Sequence, residues 1–592
     1  MKILKNFDYL FPVLIWFMIF GKNISNLMFV DYVPSTFFDF PKFLAITNYN
    51  SSAYLLELIK IIFYPLGILS SFFTISILIA MIISYVYIKR IFKDKKILYT
   101  ILFSLIFFFN PFVYSRIMVG HLYILISYLL LPVYLYYLFD FFNNINTRSI
   151  IKLAIAFTVC SSISMHFFAI YFMIFILSCF WFYPKNQKDN LLINNSNQQI
   201  EQEQKVHHNN NKPHLTKYLT SILLIILLIL LLNSFWLQGL FSNKIFSAID
   251  TQHEDFFSPK MSKDVSAFAK VLGMYGFWRE AGYLTTYKFF SVYIWYIMLF
   301  ILLILFLTGF YLNNDNKTLS YLFFALFWTG LILATGISHP YTKPFFDFLF
   351  NNLPFFNGFR DSHKLVSLIV LAYSYFIPIT IINLKEKIKS KKFMFSRIIS
   401  YFPVALLIIF ILLFTFPLLG LWNQVKPIGY PQSYYQVNNY LEKQSVNGNM
   451  LYLPFQTYLT YSWSLNSSSD GRISVPINNI VKKTIIIGPD QYGAGDELMK
   501  SASICLNEKS ISCLENNNVQ YVLKDKCAMF PDKYGWINNT LAYSTECIDI
   551  YEIDNINNIQ ETKIPIGFIL GSLISLITLI ILIYLLYSLK PK

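Results

Sequence analysis

The chain has 592 residues, of which 56% are hydrophobic and only 13% are charged, and its formal net charge is +15. Soluble domains carry about 25% charged residues, so this composition excludes an ordinary soluble enzyme and indicates a polytopic membrane protein. The positive charge does not indicate a nucleic-acid partner, because the basic residues fall in short connections between apolar runs.

Apolar runs long enough to cross a hydrocarbon core of about 30 Å recur along the chain. We predict about twelve transmembrane helices, with a tight turn at Met165-His166 dividing one long run into two spans. The predicted helices lie near residues 7–22, 66–89, 97–114, 119–141, 149–165, 166–183, 216–236, 288–312, 318–336, 365–384, 397–421 and 564–588.

The positive-inside rule favours a cytoplasmic amino terminus, because alternation then places the two most basic connections, 89–96 and 385–396, in the cytoplasm. The first segment lacks a small-residue cleavage site, so we interpret it as a retained helix. The cytoplasmic loop 184–215 is rich in Asn, Gln and Lys and has little apolar surface, which predicts disorder.

The extracytoplasmic side then receives the loops 23–65, 237–287 and 337–364 and the long segment 422–563. We predict a multispan transmembrane domain (1–421), a small extracytoplasmic α/β domain (422–563), and a final transmembrane helix with a cytoplasmic tail (564–592). Within the α/β domain, the hydrophobic patterns predict a helix at 434–443 and strands at 450–453, 519–523 and 548–553.

Four cysteines fall in the predicted extracytoplasmic domain, where disulfides form. They allow three pairings, and the sequence does not choose between them. The absence of a C-x-x-C spacing disfavours zinc, and no metal site is predicted from them. These residues are Cys505, Cys513, Cys527 and Cys547.

Asp31 lies where the first predicted helix leaves the membrane on the extracytoplasmic side. A carboxylate at this place, in a chain so poor in charge, is our leading candidate for a catalytic base, and a solvated loop aspartate is the alternative interpretation. Asp39 and Glu280 are the other candidates for the base.

Basic residues also gather at the predicted extracytoplasmic boundary. Ionisable groups near the hydrocarbon cost roughly 2.5–3.5 kcal/mol each, so they tend to mark sites. The helix after Arg360 begins with cations, although its dipole favours anions there, and a bound phosphate would explain this. Alternatively, Arg360 and Lys364 extend to lipid headgroups or pair with Asp361. The candidate phosphate ligands are Arg360, Lys364, His363, Arg116, His121 and Arg279.

Motifs of soluble enzymes are missing from the sequence. There is no P-loop, no G-x-G-x-x-G after a strand, no G-x-S-x-G and no H-E-x-x-H. Nucleotide-driven chemistry in the cytoplasm is therefore disfavoured, and an enzyme of this kind would act at the extracytoplasmic face on a substrate delivered by the membrane.

The order of a first helix, an outer loop with an aspartate, many further spans and an outer α/β domain resembles the GT-C class of integral-membrane glycosyltransferases. Three stretches look like multispan members related to arabinofuranosyltransferases and to YfhO-type proteins. They run from Asn110-Pro111-Phe112 to Gly120-His121, from Leu353-Pro354 to Lys364, and from Tyr434 to Leu441 followed by Leu451-Tyr452-Leu453-Pro454.

This resemblance implies that Asp31 matches the catalytic aspartate of the family's first outer loop. Many relatives place two acidic residues together there, whereas Tyr32 follows Asp31 in this chain. The W-W-D-Y-G motif of oligosaccharyltransferases is missing, which disfavours transfer of a finished glycan to asparagine.

The resemblance further implies an inverting glycosyltransferase of the cell envelope. It would move a sugar from a polyprenyl-phosphate donor to a glycan, lipid or protein acceptor, and the basic residues would stabilise the donor phosphate. No cofactor is required, although Asp31 with Asp39 could hold a divalent metal. The alternative function is a transporter or flippase of a lipid-linked or anionic solute, but neither inverted repeats nor broken midplane helices are evident in the sequence.

Overall fold

The computed structural model of the protein describes residues 8–37, 54–182, 211–242, 255–262, 264–313, 316–391, 395–444, 448–465, 471–483, 485–489, 497–537, 539–553 and 566–589. Two predictions fall outside these ranges: the candidate base Asp39, and the predicted disorder of the segment 184–215 over most of its length.

Nine helices within the described ranges are long and apolar enough to cross a membrane, which confirms the prediction of a multispan helical membrane protein. Ser362–Lys389 is the most enclosed by protein, so it is the central helix of the bundle. The nine are Leu69–Ile91, Leu122–Asn143, Met165–Phe182, Leu215–Leu232, Val292–Leu312, Lys317–Ser338, Ser362–Lys389, Ser396–Phe414 and Ile566–Ser588.

Three of the twelve predicted spans differ from straight, full-length helices. The first is the shorter apolar helix Asp8–Phe20, and the run 149–165 forms Thr147–Ser161, which has 15 residues. The run 97–114 is a bent pair, Ile97–Phe108 and Pro111–Val119, with 41° between its helices. The break falls at Asn110, which is extended because a proline follows it.

Shorter helices connect these spans at the level of the loops. The helix Pro111–Val119 begins with Asn110 as its cap, whose side chain accepts a hydrogen bond from the N–H of Val113 at 3.0 Å. The other short helices are Tyr54–Phe63, Ser234–Ser242, Ala267–Leu272, Thr286–Phe289 and Lys343–Asn352.

A small sheet domain precedes the last helix, as predicted. Its five strands lie in the order β4-β1-β5-β7-β6, with β1 parallel to β4 and β5, and β7 antiparallel to β5 and β6. A separate hairpin pairs β2 with β3. The strands are β1 Asn449–Leu453, β2 Tyr458–Thr460, β3 Arg472–Ser474, β4 Ile485–Ile486, β5 Val519–Asp525, β6 Thr540–Ser544 and β7 Ile548–Glu552, and the helices are Gln432–Lys443, Glu497–Glu508 and Ile511–Asn516.

Two disulfides link cysteines that are close in sequence. Cys505 pairs with Cys513 inside the helical layer, and Cys527 pairs with Cys547 beside the ends of β5 and β7. The structure therefore selects one of the three pairings that the sequence left open.

The segment 26–37 joins the membrane helices to the sheet domain. Met28 and Val33 are buried in the hydrophobic core of the sheet domain. The N–H of Ser474 donates to the carbonyl of Val30 at 2.9 Å, and the hydroxyl of Tyr430 donates to the carbonyl of Pro34. Phe29 and Val30 of the same segment are buried in the core of the membrane helices, so contacts from both parts of the protein fix the position of the segment that contains Asp31.

Candidate active site

Asp31 lies in a tight turn that packs against the junction of two membrane helices. The N–H of Phe29 donates to the carbonyl of Tyr32 at 2.7 Å, and the N–H of Asp31 donates to the carbonyl of Val119 at 2.8 Å. Gly120 follows Val119 with a φ of +87°. A Cβ added to Gly120 would lie 2.7 Å from the Cβ of Phe29, so the turn requires glycine at this position.

We expect Gly120→Ala to displace the Asp31 turn. Alanine disfavours the positive φ, and its methyl group would overlap both Phe29 and Tyr32. A misplacement of about 1 Å can cost 10²-fold in rate, so turnover should fall by about that factor. The check is kcat of the purified variant, with Gly67→Ala as control, because Gly67 also has a positive φ but has open space around it. Equal kcat values for the two variants would contradict this account.

The carboxylate of Asp31 is hydrogen-bonded to His121. The Asp31 Oδ2 to His121 Nε2 distance is 2.8 Å, and the two side chains keep 27% and 19% of their accessible surface. Arg116 Nη1 lies 3.0 Å from His121 Nδ1. Because a guanidinium only donates, Nδ1 accepts, and the imidazole is the neutral tautomer that donates from Nε2 to Asp31.

Asp31 is held in its ionised form. Desolvation opposes ionisation, but hydrogen bonds from His121 and Tyr458 and the charge of Arg279 outweigh it and lower the pKa of Asp31. Desolvation and the nearby Arg116 lower the pKa of His121, against the opposing effect of Asp31. At neutral pH, a charged carboxylate and a neutral imidazole therefore face each other at the membrane boundary.

Arg116 is the centre of a buried network behind this pair. Its side chain is fully buried, and Nη1 donates to Asp361 Oδ2 at 2.7 Å. Nη2 lies 2.9 Å from Nδ1 of His363, which is also fully buried. Arg116 thus contacts two other predicted site residues, His121 and His363, and its charge is compensated by Asp361.

Lys364 belongs to the same network. Its Nζ lies 3.6 Å from Asp361 Oδ2, and the side chain is 8% exposed. Although desolvation favours the neutral acid, Arg116 and Lys364 together hold the pKa of Asp361 well below its usual range. The geometry therefore supports pairing with Asp361 as the role of Lys364, and the assignment of Arg116, His363 and Lys364 to the donor phosphate stays a prediction.

Arg279 and Arg360 are half-buried and lie against one aromatic pair. The guanidinium of Arg360 is 4.7 Å from the centroid of the Phe257 ring, and that of Arg279 is 5.4 Å from the Trp278 ring. The two rings meet edge to face at 4.9 Å. Among the predicted phosphate ligands, these two arginines and His121 keep side chains that are partly open to solvent.

Glu280 is enclosed. Its carboxylate is 5% exposed and accepts hydrogen bonds from the N–H of Phe277 at 2.9 Å and from the hydroxyl of Tyr287 at 2.6 Å, with Lys270 Nζ 3.9 Å away. Desolvation raises the pKa of Glu280. These contacts stabilise the loop 273–287, and Glu280 is less accessible than Asp31 to an incoming hydroxyl.

Within the described ranges, no group of three or more His, Cys, Asp or Glu side chains is placed to hold a metal ion. The other member of the suggested metal pair, Asp39, lies outside those ranges. The sequence also gave no signal for Tyr458, which reaches Asp31 from the sheet domain. Tyr458 and Asp31 are far apart in sequence and come together only in the folded chain.

The fold is similar to that of the arabinofuranosyltransferase AftD from Mycobacteria, with a TM-score of 0.57 and 12% identity over 94% of this chain and 40% of that one. A mutant of AftD aligns with a TM-score of 0.56 and 11% identity over 94% and 42% of the two chains. This chain thus spans less than half of the AftD chain. The likeness confirms the predicted GT-C-like fold.

The archaeal oligosaccharyltransferase AglB from Archaeoglobus fulgidus aligns over 88% of this chain and 69% of its own, with 11% identity and a TM-score of 0.44, a value too low to support an argument. No protein-family model and no curated protein sequence matches this chain.

Proposed function

We propose that this chain is a membrane glycosyltransferase that moves a sugar from a polyprenyl-phosphate donor to a glycan, lipid or protein acceptor at the extracytoplasmic face. The observation that carries the proposal is Asp31, an ionised and partly exposed carboxylate beside the junction of two membrane helices. The GT-C-like fold and the two half-buried arginines support it, since the charge of Arg279 acts on Asp31 and Arg360 lies against the same aromatic pair.

Asp31 acts as the general base. Its free lone pairs accept the proton of an acceptor hydroxyl while the hydroxyl oxygen attacks the anomeric carbon of the sugar. General-base assistance of this kind contributes typically 10²–10⁴-fold to the rate. The neutral His121 donates to Oδ2 and keeps the carboxylate oriented.

Arg279 and Arg360 bind the donor phosphate. As the bond from the anomeric carbon to the phosphate oxygen breaks, its electron pair moves to the phosphate. Each planar guanidinium group can donate two hydrogen bonds to the growing negative charge. The phosphate leaves on one side of the sugar while the acceptor attacks from the other. A single displacement inverts the anomeric configuration.

We also propose that the amino terminus is cytoplasmic, and the disulfides support this orientation. With the amino terminus in the cytoplasm, Asp31 and the sheet domain lie outside, where the disulfides Cys505–Cys513 and Cys527–Cys547 form readily. The reaction needs no cofactor, since a monophosphate leaving group is neutralised by two arginines.

We expect Arg279→Gln and Arg360→Gln each to lower kcat/KM for the donor by about 10²–10³-fold, the usual cost of losing one donor to a developing oxyanion. The measurement is release of labelled sugar from a polyprenyl-phosphate donor by the purified protein in nanodiscs.

The matched control is Arg90→Gln, because Arg90 also lies over an aromatic ring, that of Tyr87 at 5.0 Å. Arg90 is in the last turn of the helix Phe72–Ile91, at the end that leads into the predicted cytoplasmic connection 89–96. Equal rates for all three variants would exclude Arg279 and Arg360 from the donor site. A loss confined to Arg90→Gln would place the site on the other face of the membrane.

A further inference from the structure

The two faces of the β2–β3 hairpin contact different parts of the protein. Leu459 and Ile473 are paired across it and are buried in the core of the sheet domain. Successive residues of a strand point to opposite faces, and Tyr458 accordingly packs against the core of the membrane helices. The hairpin therefore brings a side chain of the sheet domain against the membrane domain.

The same hairpin holds the Asp31 segment by its backbone. Ser474 lies opposite Tyr458 in the hairpin register, and its N–H donates to the carbonyl of Val30 at 2.9 Å. The hydroxyl of Tyr458 donates to the carboxylate of Asp31. One pair of facing residues thus makes contact with two consecutive residues of the turn.

The hairpin itself rests on a cross-linked support. The carbonyl of Thr460 accepts from the N–H of Met529 at 2.8 Å, and the N–H of Ser462 donates to the carbonyl of Cys527 at 2.9 Å. Cys527 is disulfide-bonded to Cys547. The hairpin that carries Tyr458 is therefore hydrogen-bonded to the disulfide-linked part of the sheet domain.

We propose that Tyr458 is a positioning residue for Asp31, so that the sheet domain completes the active site in addition to any contact it makes with an acceptor. The inference rests on the proposed function, because it assigns Tyr458 a role in the reaction of Asp31. Three donors or charges face this carboxylate: His121 from the helix junction, Tyr458 from the hairpin and Arg279 from the loop 273–287.

Two donors from different parts of the protein fix the carboxylate plane. An ionised carboxylate has about four lone-pair positions, so His121 and Tyr458 leave room for an acceptor hydroxyl. A hydrogen bond to the charged form also favours ionisation. Loss of the Tyr458 hydroxyl therefore has two separable effects, a looser carboxylate and a higher pKa of Asp31.

The test is Tyr458→Phe, which removes one oxygen atom and keeps the ring. We expect kcat at pH 7 to fall about tenfold with KM for the donor within about twofold, and the acidic limb of the pH–rate profile to move up by about one pH unit. Asp31 works when ionised, so a higher pKa moves the loss of activity to higher pH.

The control is Tyr543→Phe, since the Tyr543 ring stacks on Tyr440 at 4.4 Å elsewhere in the same domain. A residue with a merely structural role would lower kcat at every pH without moving the limb. An unmoved limb in Tyr458→Phe therefore overturns the proposal.

A second measurement does not depend on turnover. Carbodiimide labelling of Asp31, followed against pH by mass spectrometry, reports protonation of the carboxyl directly. We expect the labelling curve of Tyr458→Phe to lie at higher pH than that of the native chain, and coincident curves overturn the proposal. Shifted labelling in a protein that transfers no sugar would refute the proposed function and leave the positioning role intact.

Discussion

Sugar transfer falls by about 10²–10⁴-fold when Asp31 is replaced by asparagine, the usual contribution of a positioned general base. Asparagine keeps the size of the side chain and an oxygen that accepts from His121, and the backbone N–H of residue 31 still donates to the carbonyl of Val119. Donor binding should survive, because Arg279 and Arg360 are unchanged. The measurement is single-turnover transfer together with donor affinity.

The pH dependence of turnover by the native chain is a second test of Asp31 as the general base. The pKa of Asp31 lies below its ordinary value of 3.8, so the base stays ionised throughout the neutral range and turnover should fall only as the pH drops below about 4. Asp347→Asn is the matched control, because Asp347 also pairs with a cation, Lys343 at 3.3 Å, but within the separate helix Lys343–Asn352. Native turnover in Asp31→Asn would exclude Asp31 as the base.

Replacing Arg116 with methionine has the largest expected effect on stability. The change leaves Asp361 buried without its closest cation, and breaking a buried pair on one side costs about 3–5 kcal/mol. The measurement is the midpoint of thermal unfolding in detergent, followed at fixed protein and detergent concentrations. Lys96→Met, which breaks an exposed pair with Glu386, should change the midpoint little.

The double variant Arg116→Met with Asp361→Leu distinguishes the cost of leaving Asp361 buried and unpaired from the stability that the ion pair itself contributes. Removing both charges takes away the unpaired carboxylate, so the double variant should recover a large part of the lost stability. A double variant less stable than Arg116→Met would contradict the interpretation of this network as a compensated ion pair.

Much of the fold could be predicted because the bilayer imposes a length and an apolar composition on each span. The exceptions have local causes. Pro111 forces an extended residue before it and bends the run 97–119. The helix Thr147–Ser161 ends four residues before the end of the predicted span 149–165. The alternation of β7 and the apolar run of β1 likewise identified those strands, because both patterns depend on neighbouring residues only.

The site was less predictable because its contacts join distant parts of the chain. The end of the first helix indicated Asp31, but nothing near it in sequence indicated Tyr458 or the carbonyl of Val119. The cations Arg116 and Lys364 were recognised as a group, yet whether Asp361 or a ligand compensates them depends on a fold that brings Arg116 within 2.7 Å of Asp361.

The decisive measurement for glycosyltransferase activity supplies purified protein in nanodiscs with a panel of radiolabelled polyprenyl-phosphate sugars and acceptors. We expect at least one donor to release polyprenyl phosphate and to yield a product of inverted anomeric configuration. If every donor stays intact, while the same protein in liposomes moves a lipid-linked or anionic solute across the bilayer, the chain is a transporter and not a glycosyltransferase.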